Sequence, residues 1–535
     1  MPPSRLPSSR PSAPRLARVV GVVLLAATFA RDAGAEDRVR LLVQFQPAVE
    51  AGERRVVARR LGGTIPRDLG GDPGRMAIAA VEVPASAVDA LRRDPRVRSV
   101  EADPLVHAAA LGFSELVPSI DNGLYGLVLT HAIDAQARRI TGTGVRVCIA
   151  DSGIDARHPD LARAYGGGFD LVDGDDDPDV GPDIGLGGHG TMVAGVIAAA
   201  LNRKGVRGVA PDAEIFHARV LGPEGTAPTS DVMAAVQRLV ENEGCRIVNL
   251  SLGSSQRTDA EESFYRDLLA RHDVLVVAAS GNDSHDSLSY PAGYPGVLAV
   301  GAVDRNGVLA AFSNTGAGLD LVAPGVNVLS TATRGSGSEA YVKAPRPIDA
   351  SAFIYAGYTP GIRGRLVDCG TGNTPEEFPR TVRGAIALMK RGDAFFSVKV
   401  ENAMNAGARG AVIYNNVPEP TRGTLQTETA SDGRRWIPAV LVSEHDGEVL
   451  LGFRKPALVV NGPTDWDVAS GTSFAAPHVS GAAALLLSVD PSLGSDDLVR
   501  LLETTAVDLG DPGLDPAFGW GLIDADAAAR AAAEP

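Results

Sequence analysis

Cysteine and aromatic side chains are scarce in this chain: three cysteines and 5% aromatics among 535 residues. Three cysteines cannot build the disulfide framework that holds small exported domains together. Cys148 lies inside an apolar, strand-like run, Cys245 opens another and Cys369 falls in a distant zone of different composition. At most one bridge is possible, and none is expected. Positive charge is also short, with a formal net charge of -15. An acidic body repels phosphate, which excludes nucleic acid as a partner and serves solubility. Long apolar runs are absent except for "VVGVVLLAATFA", Val19 to Ala30. That run falls short of the ~20 residues a membrane-spanning helix needs. Arg5, Arg10, Arg15 and Arg18 precede it and Ala33, Gly34 and Ala35 follow it, the order of an export signal over residues 1–35. The mature protein is expected to be secreted, extracellular or periplasmic, and free of the membrane once the signal is cleaved.

What is present divides into zones. Residues 1–107 hold 17 basic and 12 acidic side chains, net +5, which leaves -20 for the rest. Within that basic leader, "RVRLLVQFQ" (38–46), "MAIAAVEVP" (76–84) and "VRSVEADPLV" (97–106) read as strands. The segments between them have helical apolar spacing. From 120 to about 343, continuous apolar runs at 145–151, 214–222, 246–253, 273–282, 297–303 and 319–325 alternate with helical patterns at 190–202, 230–244 and 259–272. Such runs interleaved with helices predict an α/β fold, a parallel sheet covered on both faces. Composition changes again from 344 to 462, which reads as an inserted domain because an apolar helical pattern returns at 472–489 and continues the earlier type. There is no internal repeat.

Three motifs carry chemistry: "ADSGID" around Asp151, "GGHGT" around His189 and "SGTSFAAPH" around Ser473. A serine hydroxyl attacks carbonyls poorly until an imidazole takes its proton, and that imidazole needs a carboxylate to orient it and stabilise its cation. Taken singly, each residue has a plainer use: Asp151 as a strand-end turn residue, His189 as a surface residue, Ser473 as a helix cap. Three such coincidences with these flanks are far less plausible than one active site. With "SLG", "SGN" and the closing "GWGLIDADAA", residues 120–330 and 464–530 resemble the subtilisin-like serine peptidases, the subtilases. The resemblance implies a serine endopeptidase in which Asp151 orients His189, His189 is general base and then acid, and Ser473 is the nucleophile. Asn282 would donate to the oxyanion. Ser251, Leu252 and Gly253, with the segment near Gly225, would form the edges that bind substrate as an added strand. Ala279, Ser280 and Gly281 would wall the first side-chain pocket and Ser289 would floor it, leaving room for large apolar or aromatic groups.

The resemblance also implies a domain order: signal peptide 1–35, inhibitor propeptide 36–110, catalytic domain 120–343 and 463–535, and between these parts a protease-associated insertion at 344–462. The protein would then be a self-processed zymogen, inhibited by its own propeptide until cleavage near residues 107–115. It would act on proteins or peptides as a monomer. His158 and His478 are assigned structural roles, and Pro477 is read as tolerated in a first helical turn. Met192 stands where many subtilases have a second histidine and is expected to pack under the helix that follows.

One acidic stretch needs its own account. "DLVDGDDDPDVGPDIGLGGH" places Asp170, Asp173, Asp175, Asp177 and Asp179 at near-alternate positions just before His189. Hard oxygen ligands in that number suit calcium, bracing the loop that leads to the histidine. A solvated acidic loop is the alternative. A metallohydrolase built on His189 would need further clustered histidines, and no HExxH appears. A binding module with a decayed site would be expected to have lost a triad member, and all three are present.

Overall fold

The computed structural model describes residues 37–70, 77–109, 124–180, 188–202, 205–344, 346–416 and 423–534. The expected signal sequence lies outside the described residues.

A seven-stranded, wholly parallel sheet forms the centre. Its order is Leu321–Pro324, Leu298–Val303, Leu275–Ala279, Ile247–Leu250, Arg146–Asp151, Glu214–Arg219 and Tyr165–Asp170. Six of these strands match the apolar runs. The seventh, "YGGGFD", gives no strand signal because glycine has little β-propensity. Its glycines are needed there, since a Cβ on Gly168 would lie 2.1 Å from the carbonyl oxygen of His217. Helix Thr472–Val489 packs on one face with helix His189–Ala198, and helices Thr229–Glu241 and Asp259–Arg271 cover the other. The apolar residues divide between two cores, one on each side of the sheet, as a doubly covered parallel sheet requires.

The expectation of no disulfide is overturned: Cys148 is bonded to Cys245 with Cα atoms 6.0 Å apart. The two are 97 residues apart in sequence, and adjacency arises because Arg146–Asp151 and Ile247–Leu250 are neighbouring strands. Inspecting each run alone could not reveal that pairing. Cys369 remains free and buried.

The leader forms a four-stranded antiparallel sheet, Thr64–Asp68, Ala77–Pro84, Arg38–Phe45 and Val97–Ala102, with helices Ala51–Arg60 and Val88–Arg92. The insertion begins earlier than composition suggests. Strand Gly337–Ala344 already pairs with Ala457–Thr464, Gly337 opposite Thr464, in a four-stranded sheet. A five-stranded sheet built on Ile386–Lys390 and Gly410–Tyr414 completes it.

Candidate active site

Asp151 ends its strand at the carboxyl edge of the sheet, where ligands of open α/β sheets bind. It is fully buried, and its Oδ1 accepts the backbone N–H of Ser152 at 2.7 Å and lies 2.8 Å from Nδ1 of His189. His189 opens its helix and is 5% exposed, with the ring of Phe474 against its edge. Ser473 sits in the first turn of the central helix, wholly buried. Neither Ser473 Oγ nor His189 Nε2 has a hydrogen-bond partner among the described residues.

A peptide already lies in the cleft, and it belongs to the leader. Residues Leu105–Ala108 form the middle strand of a three-stranded sheet, flanked by Leu252–Gly253 and Thr226–Pro228 and antiparallel to both. Backbone N–H groups of Ala108 and Ala109 donate to the carbonyls of Gly225 and Ser251, each at 3.0 Å. The carbonyl of Ala109 in turn accepts the backbone N–H of Ser473 at 3.1 Å. Asn282 stands beside this point. Its Oδ1 is held by the backbone N–H and the hydroxyl of Thr472, at 2.9 and 3.0 Å, which leaves its amide N–H groups to donate elsewhere.

Next to Ala109 opens a cavity of about 290 Å³, lined by Gly253, Ser254, Ser255, Ala279, Gly281, Asn282, Asp283 and Ser289, and by His107 and Ala108 of the leader. Of the predicted pocket residues, Ala279, Gly281 and Ser289 therefore line it. Ser280 lies behind the wall, fully buried, its hydroxyl donating to the carbonyl of Asn314 at 3.0 Å. Ser251 and Leu252 turn their side chains away from the cleft and present backbone. Asn314 carried no signal in the sequence reading, yet its Oδ1 accepts the N–H groups of Asp283 and His285 and shapes the pocket's rim.

The Ser251 hydroxyl has another partner. Pro477 lies in the sixth position of its helix, not the first turn, so it denies an N–H to the carbonyl of Ser473 four residues back. That carbonyl accepts the Ser251 hydroxyl at 2.7 Å instead. His478 bonds the carbonyl of Phe474 within its own helix at 2.8 Å, and burial pulls it down to about 4. His158 is satisfied by the N–H of Asp160 and by the carbonyl of Asp465. Met192 packs with Val196, Val328, Ala469 and Phe474.

Among the described residues of the acidic stretch, 170–180, the aspartates do not converge into a cation cage. Oδ1 of Asp170 accepts the N–H groups of Val172 and Asp173, Asp175 accepts that of Asp177, and Asp177 that of Asp179. These are short turns in which each side chain bonds its own backbone. The guanidinium of Arg219 sits 2.6 Å from both Asp170 and Asp173, and Arg238 is 2.9 Å from Asp176. Among the described residues no group of three metal-ligating side chains is gathered. The described residues do not offer calcium a set of free ligands: a cation at Asp170 and Asp173 would have to displace Arg219.

A buried carboxylate that orients an imidazole, a serine at a helix start, and an extended strand whose carbonyl faces that serine define the class of the serine hydrolases. The subtilase family profile matches residues 142–351 and 445–521, and the PA domain profile matches 362–450. The chain belongs to the subtilase family. It is 42% identical over 254 residues to an alkaline protease of Alkalihalobacillus alcalophilus, covering 48% of this chain and 62% of that protein. It therefore spans less than two thirds of that relative's length. Against the minor extracellular protease Vpr of Bacillus subtilis (strain 168), identity is 30% over 437 residues, covering 71% of this chain and 50% of that protein. Among solved structures, the psychrophilic subtilisin-like protease Apa1 from Pseudoalteromonas sp. AS-11 matches with a TM-score of 0.57 and 29% identity. That match covers 77% of this chain and 99% of the other.

Proposed function

We propose that the chain is a serine endopeptidase, exported as a precursor whose leader occupies the active site until it is cut. The observation that carries this reading is the carbonyl of Ala109, held by the backbone N–H of Ser473 at 3.1 Å in a strand paired on both sides with the body. An extended chain in that register presents its carbonyl carbon to the Ser473 hydroxyl.

In the mechanism so inferred, Ser473 Oγ attacks that carbon while its proton passes to Nε2 of His189. Asp151, bonded to Nδ1, fixes the tautomer and stabilises the imidazolium. Negative charge moves to the carbonyl oxygen, where the Ser473 N–H and the Asn282 amide receive it; loss of one such donor costs ~10² to 10³ in rate, a magnitude measured for the corresponding subtilisin donor. The C–N bond then breaks as the imidazolium returns its proton to the leaving amine. Water repeats the sequence on the acyl-enzyme and frees Ser473. Self-processing is assigned to the Ala109–Ala110 bond, inside the 107–115 window expected from sequence. The cavity beside Ala109 is larger than an alanine needs, which supports acceptance of larger side chains in other substrates.

The test is the Ser473→Ala precursor. It should show no hydrolysis of casein and stay unprocessed, while the wild-type mature chain should begin at Ala110. Cleavage of casein by the variant at the wild-type rate would refute the reading. A mature N-terminus outside 107–115 would refute the assigned register.

A further inference from the structure

His217 lies on Glu214–Arg219, the strand next to the one that ends in Asp151, and pairs with Ile149. Side chains alternate across a strand, so His217 and Asp151 point to the same face, the one covered by the helix that begins at His189. All three meet at Gly190. A Cβ placed on Gly190 would come within 2.7 Å of His217 Nε2 and 3.2 Å of the Asp151 Cβ. His217 is wholly buried, and among the described residues neither of its ring nitrogens has a hydrogen-bond partner. Asp151 has a matching deficit. Its Oδ1 serves His189 and Ser152, whereas Oδ2 is buried with no partner.

One unmet donor and one unmet acceptor thus share a pocket that excludes solvent, where leaving both unmade is costly. Burial keeps the imidazole uncharged, pulling it down to about 4 against the opposing pull of Asp151. A neutral imidazole carries a single N–H. Among the described residues, the charged or titratable groups that act on it are Asp151 from the neighbouring strand and His189 from the helix. The strand on its other side, Tyr165–Asp170, sets glycines beside it. Among the described residues no donor bonds Oδ2, and the torsion that turns an imidazole ring is broad.

We propose that His217 is a positioning residue for the catalytic aspartate: a turn of its ring brings its N–H to Oδ2 of Asp151, which locks the carboxylate with Oδ1 facing His189. The inference rests on the triad reading above. A neutral donor suits the position because it orients the carboxylate without setting a second positive charge beside the imidazolium that forms during catalysis. No position in the three motif blocks announces this role. It comes from the placement of one histidine in an otherwise apolar strand.

The test compares His217→Leu, which fills the space without a donor, with His217→Asn, which retains an N–H. Each is expressed as the full precursor, and rates are normalised to sites titrated with a phosphonate that reacts with Ser473. In the leucine variant kcat should fall roughly tenfold, as when an outer partner of an active-site group is removed, with KM unchanged. Its acid limb of kcat/KM should move to higher pH, because an Asp151 carboxylate with an unbonded Oδ2 favours the His189 imidazolium. The asparagine variant should restore both. Wild-type kcat and an unmoved limb in His217→Leu would overturn the proposal, as would equal losses in both variants with no shift of the limb. If the leucine variant does not fold, proton NMR of wild-type enzyme labelled with 15N-histidine decides. A downfield, exchange-protected ring N–H from His217, lost in Asp151→Asn, supports the bond, and its absence overturns it. None of these outcomes touches the triad reading, which stands or falls with Ser473→Ala.

Discussion

The leader and the insertion are both additions to the same parallel-sheet body, and they join it in opposite ways. The leader shares its interior: Leu42, Leu69 and Ile78 belong to the same apolar cluster as the buried residues of helices Thr229–Glu241 and Asp259–Arg271. Its carboxylates also occupy helix ends. Glu101 accepts the first N–H groups of helix Asp259–Arg271, from Asp259 and Ala260, both at 2.9 Å. Asp103 accepts the N–H and hydroxyl of Ser230 at the start of the other helix, while Arg40 bridges Asp103 and Asp231. Anions at helix N-termini meet unpaired N–H groups and the positive end of the dipole. The insertion, by contrast, keeps two apolar cores to itself. It leaves and re-enters the body beside one short antiparallel pair, Val328–Thr331 with Trp466–Ala469. On the proposed function, a leader that inhibits has to match the body in detail, whereas the insertion joins it beside a single antiparallel pair.

The largest effect should come from attacking the leader's side of this comparison. The Asp103 side chain is fully buried and linked to Arg40 and Ser230, so the double substitution Glu101→Ala/Asp103→Ala should remove about 2–5 kcal/mol of interface energy. Measured as inhibition of mature enzyme by added leader peptide, the inhibition constant should rise by at least about thirtyfold. A change under threefold would mean that the helix-end contacts are incidental. Substitution of Arg346 and Asp446, an exposed pair within the insertion, should leave the same constant unmoved.

Next in size is the disulfide. Cys148→Ala/Cys245→Ala should lower the body's unfolding free energy by about 2–4 kcal/mol, read from denaturant midpoints of the mature chain. The insertion holds neither cysteine, so a probe placed there, the fluorescence of Trp436, should report an unchanged midpoint if the two parts unfold separately.

How much of this could be read in the sequence depends on how local each signal is. Asp151, His189 and Ser473 sit in short motifs whose flanks form the turns and helix starts that present them, so the pairing of Asp151 with His189, the place of Ser473 at a helix start and six of seven central strands were legible. The leader's strand in the cleft followed only from the family resemblance, because the strand pattern of 97–106 stops short of His107 and Ala108. Features that depend on what lies across a strand pair were not legible. The Cys148–Cys245 bond, Arg219 between Asp170 and Asp173, the Ser251 hydroxyl on the carbonyl freed by Pro477, and His217 beside Asp151 all join residues far apart in sequence. The aspartate spacing suggested a metal because offsets alone cannot distinguish side chains that converge from side chains that each bond their own backbone.

A smaller effect tests the ground beneath the leader. Glu261 is wholly buried under it, with Oε2 3.0 Å from the Tyr294 hydroxyl, and burial pushes its carboxyl up to about 8, with Asp103 of the leader adding to the shift. Its ordinary value is 4.5. Between these values the folded chain holds a proton that the unfolded chain has released, so stability falls as pH rises from about 4.5 to about 8 and is flat beyond. Glu261→Gln cannot ionise and should flatten that slope, making the variant more stable than wild type at pH 9 by of the order of 1–2 kcal/mol. A slope unchanged in the variant would show that another group carries it.

The smallest expected effect is the one that most directly probes the insertion. Gly337 and Thr464 face each other across an antiparallel pair, so the chain leaves and returns through neighbouring positions. A short glycine-containing link can replace residues 338–463 without stretching either side, since a two-residue turn suffices between paired strands. With its two cores removed whole, the excised chain exposes little that was buried against the body. Processing at Ala109 and kcat on a tetrapeptide should then stay within about twofold of the parent, because none of the described residues lining the cavity beside Ala109 or pairing with His189 comes from the insertion. Retained tetrapeptide hydrolysis with a loss confined to protein substrates would locate the insertion's contribution in capturing long chains. Loss of the tetrapeptide activity itself would mean that the single hairpin junction transmits more to the cleft than its few contacts imply, and the contrast with the leader would fail.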